Sequence, residues 1–287
     1  MTDARFPASP DEVGPAWYTA ALRTTGTIAD GASVTAVDTE QIGVGVGVLA
    51  LLWRCRFTYD QPGAGPDTAV LKLPATAPHS RQLSDAFRFY EREVRFYEVI
   101  GHGTPLTTAD RYFTDLDPES GDFVLIMEDF GQRRLLDQIT GASPEDSIAS
   151  LQALAAHHAA WWDHASFGTD AMAWAPRVID PPNPQALVPA LKASWPVVEE
   201  RFGEHLGAFR DAASRMSDAC VPLMDRLSQP PVTFVHGDHR LDNIFHPVAD
   251  DQSVAGVDWQ ICGVGRGLYD VGYYMSQSLR SEVRAEC

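Results

Sequence analysis

The chain has 287 residues, of which 45% are hydrophobic and 10% aromatic, enough to bury the core of one large domain or of two lobes around a cleft. Its formal net charge of −17 argues against a nucleic-acid partner, because phosphate backbones are bound by an excess of Lys and Arg. The N-terminus has no apolar run after a basic start, and no stretch approaches ~20 apolar residues, so we expect neither a signal peptide nor a membrane span.

Strand-forming sequences dominate the first third of the chain. The segment "QIGVGVGVLALLWRCRFTYD", residues 41–60, has early glycines and later β-formers, and "TAVLKLP", Thr68–Pro74, predicts a short strand ended by Pro. The loop "DQPGAGPD" separates the two. A helix is predicted in "SDAFRFYEREVRFYEVI", with Ser84 as its N-cap. Its apolar stripe at helical spacing consists of Phe87, Tyr90, Val94 and Tyr97.

Helical patterns dominate the rest of the chain. The segment "DFVLIMEDFG" predicts a buried strand that runs into a loop at residues 128–131. A helix is expected from about residue 144, where Ser143 and Asp146 form a start typical of a capping box, and a second helical block spans about 185–228. Short strands return in "PVTFVHGD" and "VAGVDW". This order predicts an α+β protein with a β-rich N-lobe, residues 1–128, containing one helix, and a mostly helical C-lobe, residues 129–287, with a ligand cleft between them.

Polar residues with metal-binding and catalytic chemistry follow two of the late strands. In "FVHGDHRLDNIFHP", Asp238 leaves a short strand and can be aimed at a substrate hydroxyl, and Asn243 follows five residues later. Asp258 comes at the end of the next strand, in "AGVDWQ". Mg²⁺ takes hard oxygen ligands, few of them from protein and the rest from phosphates and water, so one Asp and one Asn suit it. The alternative for Asp238 and Asn243 is a polar turn held by Asx hydrogen bonds.

These motifs resemble the signature of the aminoglycoside phosphotransferase and choline kinase superfamily, whose members have a protein-kinase-like fold. "HGDHRLDN" followed by "VDWQ" carries the resemblance, which extends over about residues 35–280. "EVRFY", "VLIMEDF" and "HHAAWW" look closest to the ecdysteroid-kinase-like branch and its bacterial relatives. The resemblance implies an ATP-dependent enzyme in which Asp238 is the catalytic base or orients the acceptor hydroxyl, while Asn243 and Asp258 bind Mg²⁺. It also implies that His236 shapes the loop by hydrogen bonding.

Lys72 is the only lysine in the first 190 residues, and it lies within an apolar strand. A buried ammonium needs a partner, and the resemblance implies that Lys72 holds the α- and β-phosphates of a nucleotide, braced by a Glu on the next helix. The alternative is a Lys on the solvent face of an edge strand. Helical periodicity does not choose between Glu91 and Glu93, which flank the apolar stripe on opposite sides, but the family pattern Glu-Val-x-Phe-Tyr favours Glu93.

The resemblance also places the adenine contacts and two scaffold residues. Backbone groups from Glu128 to Phe130 are expected to meet the adenine at a hinge between the lobes. The glycines at 43, 45 and 47 fit either a hairpin over the phosphates or a plain turn. His158 is expected to be a core histidine bonded to the catalytic loop, and Asp270 to cap the following helix.

Three functional hypotheses remain at this stage. The first is a small-molecule kinase, and the second is a pseudokinase-like interaction protein that binds nucleotide. The third, a protein kinase, is disfavoured because the chain has no Asp-Phe-Gly at Asp258, no Ala-Pro-Glu and no room for an activation loop between Asp258 and Asp270. The sequence does not distinguish ATP from GTP, and it leaves the oligomeric state open.

The acceptor is open in the sequence. Aromatic residues in the block 160–228 favour an apolar alcohol, while the negative charge favours a cation such as an aminoglycoside or choline. The chain stops at Cys287, soon after Asp270, so either a shortened member or a fragment is expected. The cysteines, at 55, 220, 262 and 287, form no CxxC pair, which argues against a zinc or thioredoxin-type site and predicts a reduced, cytoplasmic protein.

Overall fold

The computed structural model describes residues 5–44, 49–249 and 253–286. The strands are β1 (Val34–Ile42), β2 (Ala50–Tyr59), β3 (Thr68–Pro74), β4 (Thr107–Thr108), β5 (Arg111–Leu116), β6 (Phe123–Glu128), β7 (Arg134–Leu135), β8 (Thr233–Val235), β9 (Ile244–His246), β10 (Ala255–Gly256) and β11 (Gly263–Gly265). The α-helices are α1 (Pro15–Thr24), α2 (Pro78–Phe87), α3 (Phe89–Val99), α4 (Pro144–Ala160), α5 (Asn183–Phe202), α6 (Arg210–Ser214), α7 (Met216–Leu227), α8 (Leu268–Ser278) and α9 (Ser281–Glu286).

The N-terminal region is built on a five-stranded antiparallel sheet with the order β1-β2-β3-β6-β5. The predicted strands of this region are present. Strand β3 is the middle strand, and six of its seven residues are buried. Lys72 belongs to it, opposite Leu52 on one side and Leu125 on the other, and is only 3% exposed. The alternative of a solvent-facing Lys on an edge strand is therefore wrong.

Helix α1, which the sequence analysis did not predict, covers one face of this sheet. Its residues Tyr18 and Leu22 pack in a cluster with Phe57 and Leu71 from the strands. Tyr18 meets the ring of Phe57 edge-on, with the ring centroids 5.5 Å apart. The helix begins at Pro15, a residue whose missing N–H and fixed φ suit the first helical position. The sheet is thereby buried on the side away from α3.

The single helix predicted from Ser84 is divided into α2 and α3. The break lies at Arg88, which has the left-handed φ of 56°. Ser84 is a buried residue inside α2 rather than an N-cap, so that prediction is wrong. Phe87 and Phe89 stack across the break with their centroids 5.1 Å apart. Residues i and i+2 of a continuous helix point to different sides, so this stacking requires the interruption.

The C-terminal region combines helices with two small sheets. Helix α4 begins as predicted, because the Ser143 hydroxyl accepts a hydrogen bond from the Asp146 N–H. The small sheets have the orders β4-β10-β9-β7 and β11-β8. The predicted block 185–228 consists of α5, α6 and α7. Within the three described ranges, no helix combines the length and the apolar character that crossing a membrane requires.

One apolar cluster joins the two regions. It includes Phe96 and Tyr97 of α3, Phe234 of β8 and Trp259. The rings of Phe96 and Trp259 stack with their centroids 3.8 Å apart and their planes 9° apart. Because Phe96 follows Glu93 by one helical turn and Trp259 follows Asp258, this stack fixes the two carboxylates relative to each other.

Candidate active site

Lys72 lies between two carboxylates from different parts of the chain. Its Nζ atom is 2.8 Å from Oε1 of Glu93, on α3, and 2.8 Å from Oδ1 of Asp258. Glu93 is completely buried, whereas Glu91 lies near the surface in an ion pair with Arg88. The structure therefore brings together Lys72, Glu93 and Asp258, and it resolves the choice between the two glutamates that helical periodicity left open.

Burial and charge act in opposite directions on these groups. Burial alone would lower the pKa of Lys72, but the charges of Asp258 and Glu93 outweigh it and raise that pKa above its usual range. Burial raises the pKa of Glu93 in spite of Lys72. Burial would also raise the pKa of Asp258, but the charge and hydrogen bond of Lys72 lower it. Lys72 is thus held as a cation, and Asp258, whose side chain is 37% exposed, as an anion facing the cleft.

Asp258 has an uncommon backbone conformation. Its φ of 64° and ψ of 65° lie in the left-handed region, which Asp and Asn tolerate better than other residues with side chains. The preceding N–H, of Val257, donates to the carbonyl of Asn243 over 3.0 Å. Strands β9 and β10 pair next to this bond, with Gly256 opposite Ile244. Asn243, immediately before β9, and Asp258, shortly after β10, therefore lie at the same edge of a small sheet.

The loop after β8 carries Asp238 and allows only Gly at the position before it. Gly237 has a φ of 86°, and a Cβ atom there would lie 2.3 Å from the carbonyl oxygen of Ile261. His236 accepts a hydrogen bond from the Asp238 N–H at Nδ1 and lies 3.0 Å from the Val257 carbonyl at Nε2. These two bonds fit a neutral ring protonated at Nε2, and they confirm that His236 shapes the loop.

The same loop is anchored from α8 by Asp270. The Asp270 carboxylate accepts the backbone N–H groups of His236 and Gly237 over 2.8 and 2.9 Å, and His158 donates to it over 2.9 Å. Burial alone would raise the pKa of Asp270, but the hydrogen bond from His158 lowers it to about 2. The prediction that Asp270 caps a helix is wrong, since it lies inside α8. His158 reaches the loop only through Asp270.

Asp238 is held by several donors. The amide nitrogen of Asn243 donates to the Asp238 carbonyl over 2.9 Å and to its Oδ2 over 3.0 Å. Arg240 lies 3.4 Å from Oδ1 of Asp238 and 3.0 Å from Asp242, so this arginine joins the two carboxylates of the loop. Because the Asn243 amide nitrogen points to Asp238, its amide oxygen is left to face another partner.

Two residues of the site were not predicted from the sequence. Burial raises the pKa of Tyr273 above its usual range, and the nearby Asp238 carboxylate acts in the same direction. Arg92, 5% exposed, donates to the carbonyl oxygens of Cys262 and Ile261 over 2.9 and 3.3 Å. Tyr273 could have been found from helical spacing, since it follows Asp270 by three residues. Nothing in the sequence around Arg92 indicates its role.

The hinge segment lies at the end of β6. The Glu128 N–H donates to the Asp110 carbonyl, and a Glu128 carboxylate oxygen accepts the Asp110 N–H over 3.2 Å. Phe130 is buried against Phe245, with its ring centroid 5.6 Å away. Both side chains contact other parts of the protein, and contact of the backbone groups with adenine stays a prediction. Gly43 is a turn residue with a φ of 68°, whereas Gly45 and Gly47 lie outside the described residues.

The donor set fits magnesium only with help from a ligand. Among the described residues, no group of three or more His, Cys, Asp or Glu is placed to hold a metal ion. Asp258 has a second carboxylate oxygen beyond the one that contacts Lys72, and Asn243 has its amide oxygen. Two hard oxygen donors match the sparse protein contribution of Mg²⁺ sites in which phosphates and water complete the shell.

A family comparison decides the classification. The family model described as "phosphotransferase enzyme family" matches residues 54–287, most of the chain and all of the site residues above. The chain belongs to this family. This family agrees with the superfamily that the sequence motifs resemble. Membership of the ecdysteroid-kinase-like branch stays a prediction. No curated protein matches this chain in sequence.

Solved structures of family enzymes have the same fold. A candidate aminoglycoside phosphotransferase from Ralstonia eutropha JMP134 is 19% identical with a TM-score of 0.52, over 90% of this chain and 69% of that chain. The GDP and kanamycin complex of APH(2″)-IIIa is 14% identical with a TM-score of 0.52, over 93% and 80%. Choline kinase from Cryptosporidium parvum Iowa II is 8% identical with a TM-score of 0.51, over 85% and 63%. The phosphotransferase family member described here therefore has the kinase-like α+β fold, with an antiparallel sheet in its N-lobe and a helical C-terminal portion.

Proposed function

We propose that this chain transfers the γ-phosphoryl group of ATP to a hydroxyl group of a small molecule. The observation that carries the proposal is the buried Lys72 ammonium, bonded to Glu93 and Asp258 and facing a loop in which Asn243 holds Asp238. A cation for phosphates, two oxygen donors for a metal and a carboxylate for a hydroxyl are the parts that phosphoryl transfer needs.

The N-terminal region supplies the nucleotide contacts in this proposal. Lys72 would bind the α- and β-phosphates. Its buried ion pair with Glu93 would keep the Lys72 ammonium in place. Backbone groups from Glu128 to Phe130 would contact the adenine. The lobe boundary proposed between residues 128 and 129 lies at the end of β6, where the sheet ends.

Asn243 and Asp258 are the proposed magnesium ligands. Bound there, Mg²⁺ would neutralise charge on the β- and γ-phosphates during transfer. Asp258 keeps its carboxylate ionised through the contact with Lys72, as a ligand to a hard cation requires. The left-handed backbone of Asp258 directs this carboxylate towards Lys72 instead of along the strand.

Asp238 is the proposed catalytic residue. It would accept the acceptor's hydroxyl hydrogen and orient its oxygen, while a new P–O bond forms to that oxygen and the bond from the γ-phosphorus to the bridging oxygen breaks. The hydroxyl proton passes to the Asp238 carboxylate and ADP leaves. Asn243 holds this carboxylate and Asp270 holds the backbone before it, so Asp238 is positioned before any substrate binds.

Calorimetry of ATP binding with and without Mg²⁺, followed by a turnover assay, tests the proposal. We expect the parent chain to bind ATP in a Mg²⁺-dependent way and Asp258→Asn to lose that dependence, since Asn tolerates the backbone conformation but lacks the charge. Asp238→Asn should keep Mg²⁺-dependent binding and lose about 10²–10⁴-fold in kcat.

Asp242→Asn is the matched control, because Asp242 lies in the same loop but contacts only Arg240. It should change kcat by less than about tenfold. Absence of ATP binding by the folded parent chain would contradict the proposal and favour a pseudokinase-like interaction protein. Full activity of Asp238→Asn would exclude the catalytic role of that residue.

A further inference from the structure

A cavity of about 440 Å³ lies beside the catalytic loop. Its walls come from α2 and α3 on one side, from α5 and α7 on the other, and from β8, β11 and α8 at its base. The volume falls within the range of pockets that hold small organic molecules.

The cavity reaches Asp238 through two of its lining residues. Gly237 lines it and immediately precedes Asp238 in the loop. Tyr273 also lines it, and the charge of Asp238 acts on the phenol of this residue. A hydroxyl group bound in the cavity would therefore lie close to the loop that carries Asp238.

The remaining lining is predominantly apolar. It includes Phe89, Leu187, Leu223, Met224, Leu227 and Val264. The described residues that line the cavity include two arginines but no Asp or Glu. Arg92 is occupied by backbone carbonyls, and Arg177 is paired with Asp180 at 3.3 Å.

We propose that the acceptor is an uncharged, mainly apolar alcohol that binds in this cavity with its hydroxyl directed to Asp238. This inference rests on the proposed phosphotransfer and names its acceptor class. The apolar walls would gain about 25 cal/mol for each Å² of acceptor surface that leaves water.

The cavity also decides between the two acceptor classes that composition left open. A polycation such as an aminoglycoside would place several charges in a space whose described lining residues include two arginines and no Asp or Glu, with Asp238 just beyond Gly237. Burying unpaired positive charge there is unfavourable. The formal net charge of −17 therefore does not describe the acceptor site, because the carboxylates that produce it lie elsewhere.

A charge introduced into the cavity wall tests the inference. Leu223 lines the cavity and is 48% exposed, so Leu223→Glu should fold. Val221, on the same helix, is 42% exposed and does not line the cavity, so Val221→Glu is the matched control. The probes are 1-adamantanemethanol, straight-chain alcohols from octanol to dodecanol, and kanamycin. Phosphoester formation is followed by phosphorus NMR, and acceptor and Mg²⁺-ATP binding by calorimetry.

We expect turnover of at least one apolar alcohol and none of kanamycin. Leu223→Glu should raise the KM for that alcohol about tenfold or more, because an ionised carboxylate then borders the apolar ligand, while Val221→Glu leaves it unchanged. Both variants should bind Mg²⁺-ATP like the parent chain.

The acceptor class would be wrong if Mg²⁺-ATP bound normally while kanamycin was phosphorylated, or while no apolar alcohol bound or reacted. The cavity would be wrong as the site if both glutamate variants raised KM equally or neither did. Loss of Mg²⁺-ATP binding in the parent chain would instead contradict the proposed function itself, so the two failures are distinguishable.

Discussion

The catalytic loop and the helical arm formed by α5, α6 and α7 are packed in opposite ways. Around the loop, polar side chains are buried and bonded, with Asp270 completely buried and Asn243 only 5% exposed. In the arm, α5 and α6 contain no buried residue. Phe202 and Phe209 at the arm's surface are 53% and 57% exposed. The residues proposed for phosphoryl transfer are therefore part of the core, whereas the proposed acceptor cavity is bordered by helices with few buried residues.

This difference predicts where substitutions disturb the molecule. Groups around the loop depend on one another, because Asp270 holds His236 and Gly237 while His158 holds Asp270. Removing one member leaves buried polar groups without partners, which costs about 1–3 kcal/mol each. An exposed residue of the arm has no comparable dependence.

Within the loop, the largest effect is expected at Gly237. Gly237→Ala should lower the free energy of unfolding by about 2–4 kcal/mol, because the new Cβ atom would lie 2.3 Å from the Ile261 carbonyl in a left-handed backbone. Urea unfolding followed by circular dichroism measures it. Gly272→Ala in α8 is the matched control, since a Cβ atom added there would meet no neighbouring side chain or packed element within 4 Å and Ala favours the helix by about 1 kcal/mol. Equal stabilities of the two variants would contradict the close packing of the loop.

An intermediate effect is expected at acid pH from His239. Burial, together with the nearby His236, lowers the pKa of His239 to about 3, while an unfolded histidine has a pKa of 6.5. Between these values only the unfolded chain binds the proton, so the stabilising contribution is complete above pH 6.5 and decreases as the pH falls towards 3.

His239→Phe removes this titration without leaving a broken hydrogen bond, because neither ring nitrogen has a partner among the described residues. Between pH 6 and 4, the stability of the parent chain should fall by about 1.4 kcal/mol per pH unit more than that of the variant. The control is His205→Phe in the arm, where the side chain is 73% exposed. Parallel pH profiles for the parent and His239→Phe would show that the buried histidine is not kept neutral.

The smallest effect is expected in the arm. Phe202→Ala should change the free energy of unfolding by no more than about 0.5 kcal/mol, since the ring is already 53% exposed. Phe96→Ala, at the buried stack with Trp259, should cost about 3–5 kcal/mol. Thermal unfolding of both variants checks the contrast. A cost above about 2 kcal/mol for Phe202→Ala would show that the arm is part of the cooperative core.

Much of the fold could be predicted because its signals are local. Strand β3 reads as an apolar run ended by Pro, and α4 starts at Ser143 because a hydroxyl at the N-cap can accept the Asp146 N–H. The helix break at Arg88 could not be predicted from the sequence, since no Gly or Pro marks it. The Phe87–Phe89 stacking that accompanies it is a tertiary arrangement. Helix α1 was missed although it begins at Pro15, a residue typical of a first helical turn.

The candidate site also has parts that the sequence predicts and parts that it does not. The motifs located Asp238, Asn243 and Asp258, because their spacing in the chain is the signal. Glu93 was chosen over Glu91 from the family pattern and not from helical periodicity, since α3 is buried on most of its surface and its periodicity is therefore uninformative. The cavity depends on how α8 meets the loop, which no local pattern encodes.

The short segment from Trp259 to Gly263 has a consequence for conformational order. Trp259 stacks on α3, the Ile261 carbonyl receives Arg92 and closes over Gly237, and Gly263 pairs with β8 while leaving no room for a Cβ atom next to Pro176. These contacts involve Trp259, Ile261 and Gly263, so the segment is packed along its length and has little freedom to change conformation. An insertion or a phosphorylated residue here would separate α3 from the catalytic loop. We therefore expect this segment to be ordered whenever the protein is folded, so that α3 and the loop with Asp238 keep one relative position.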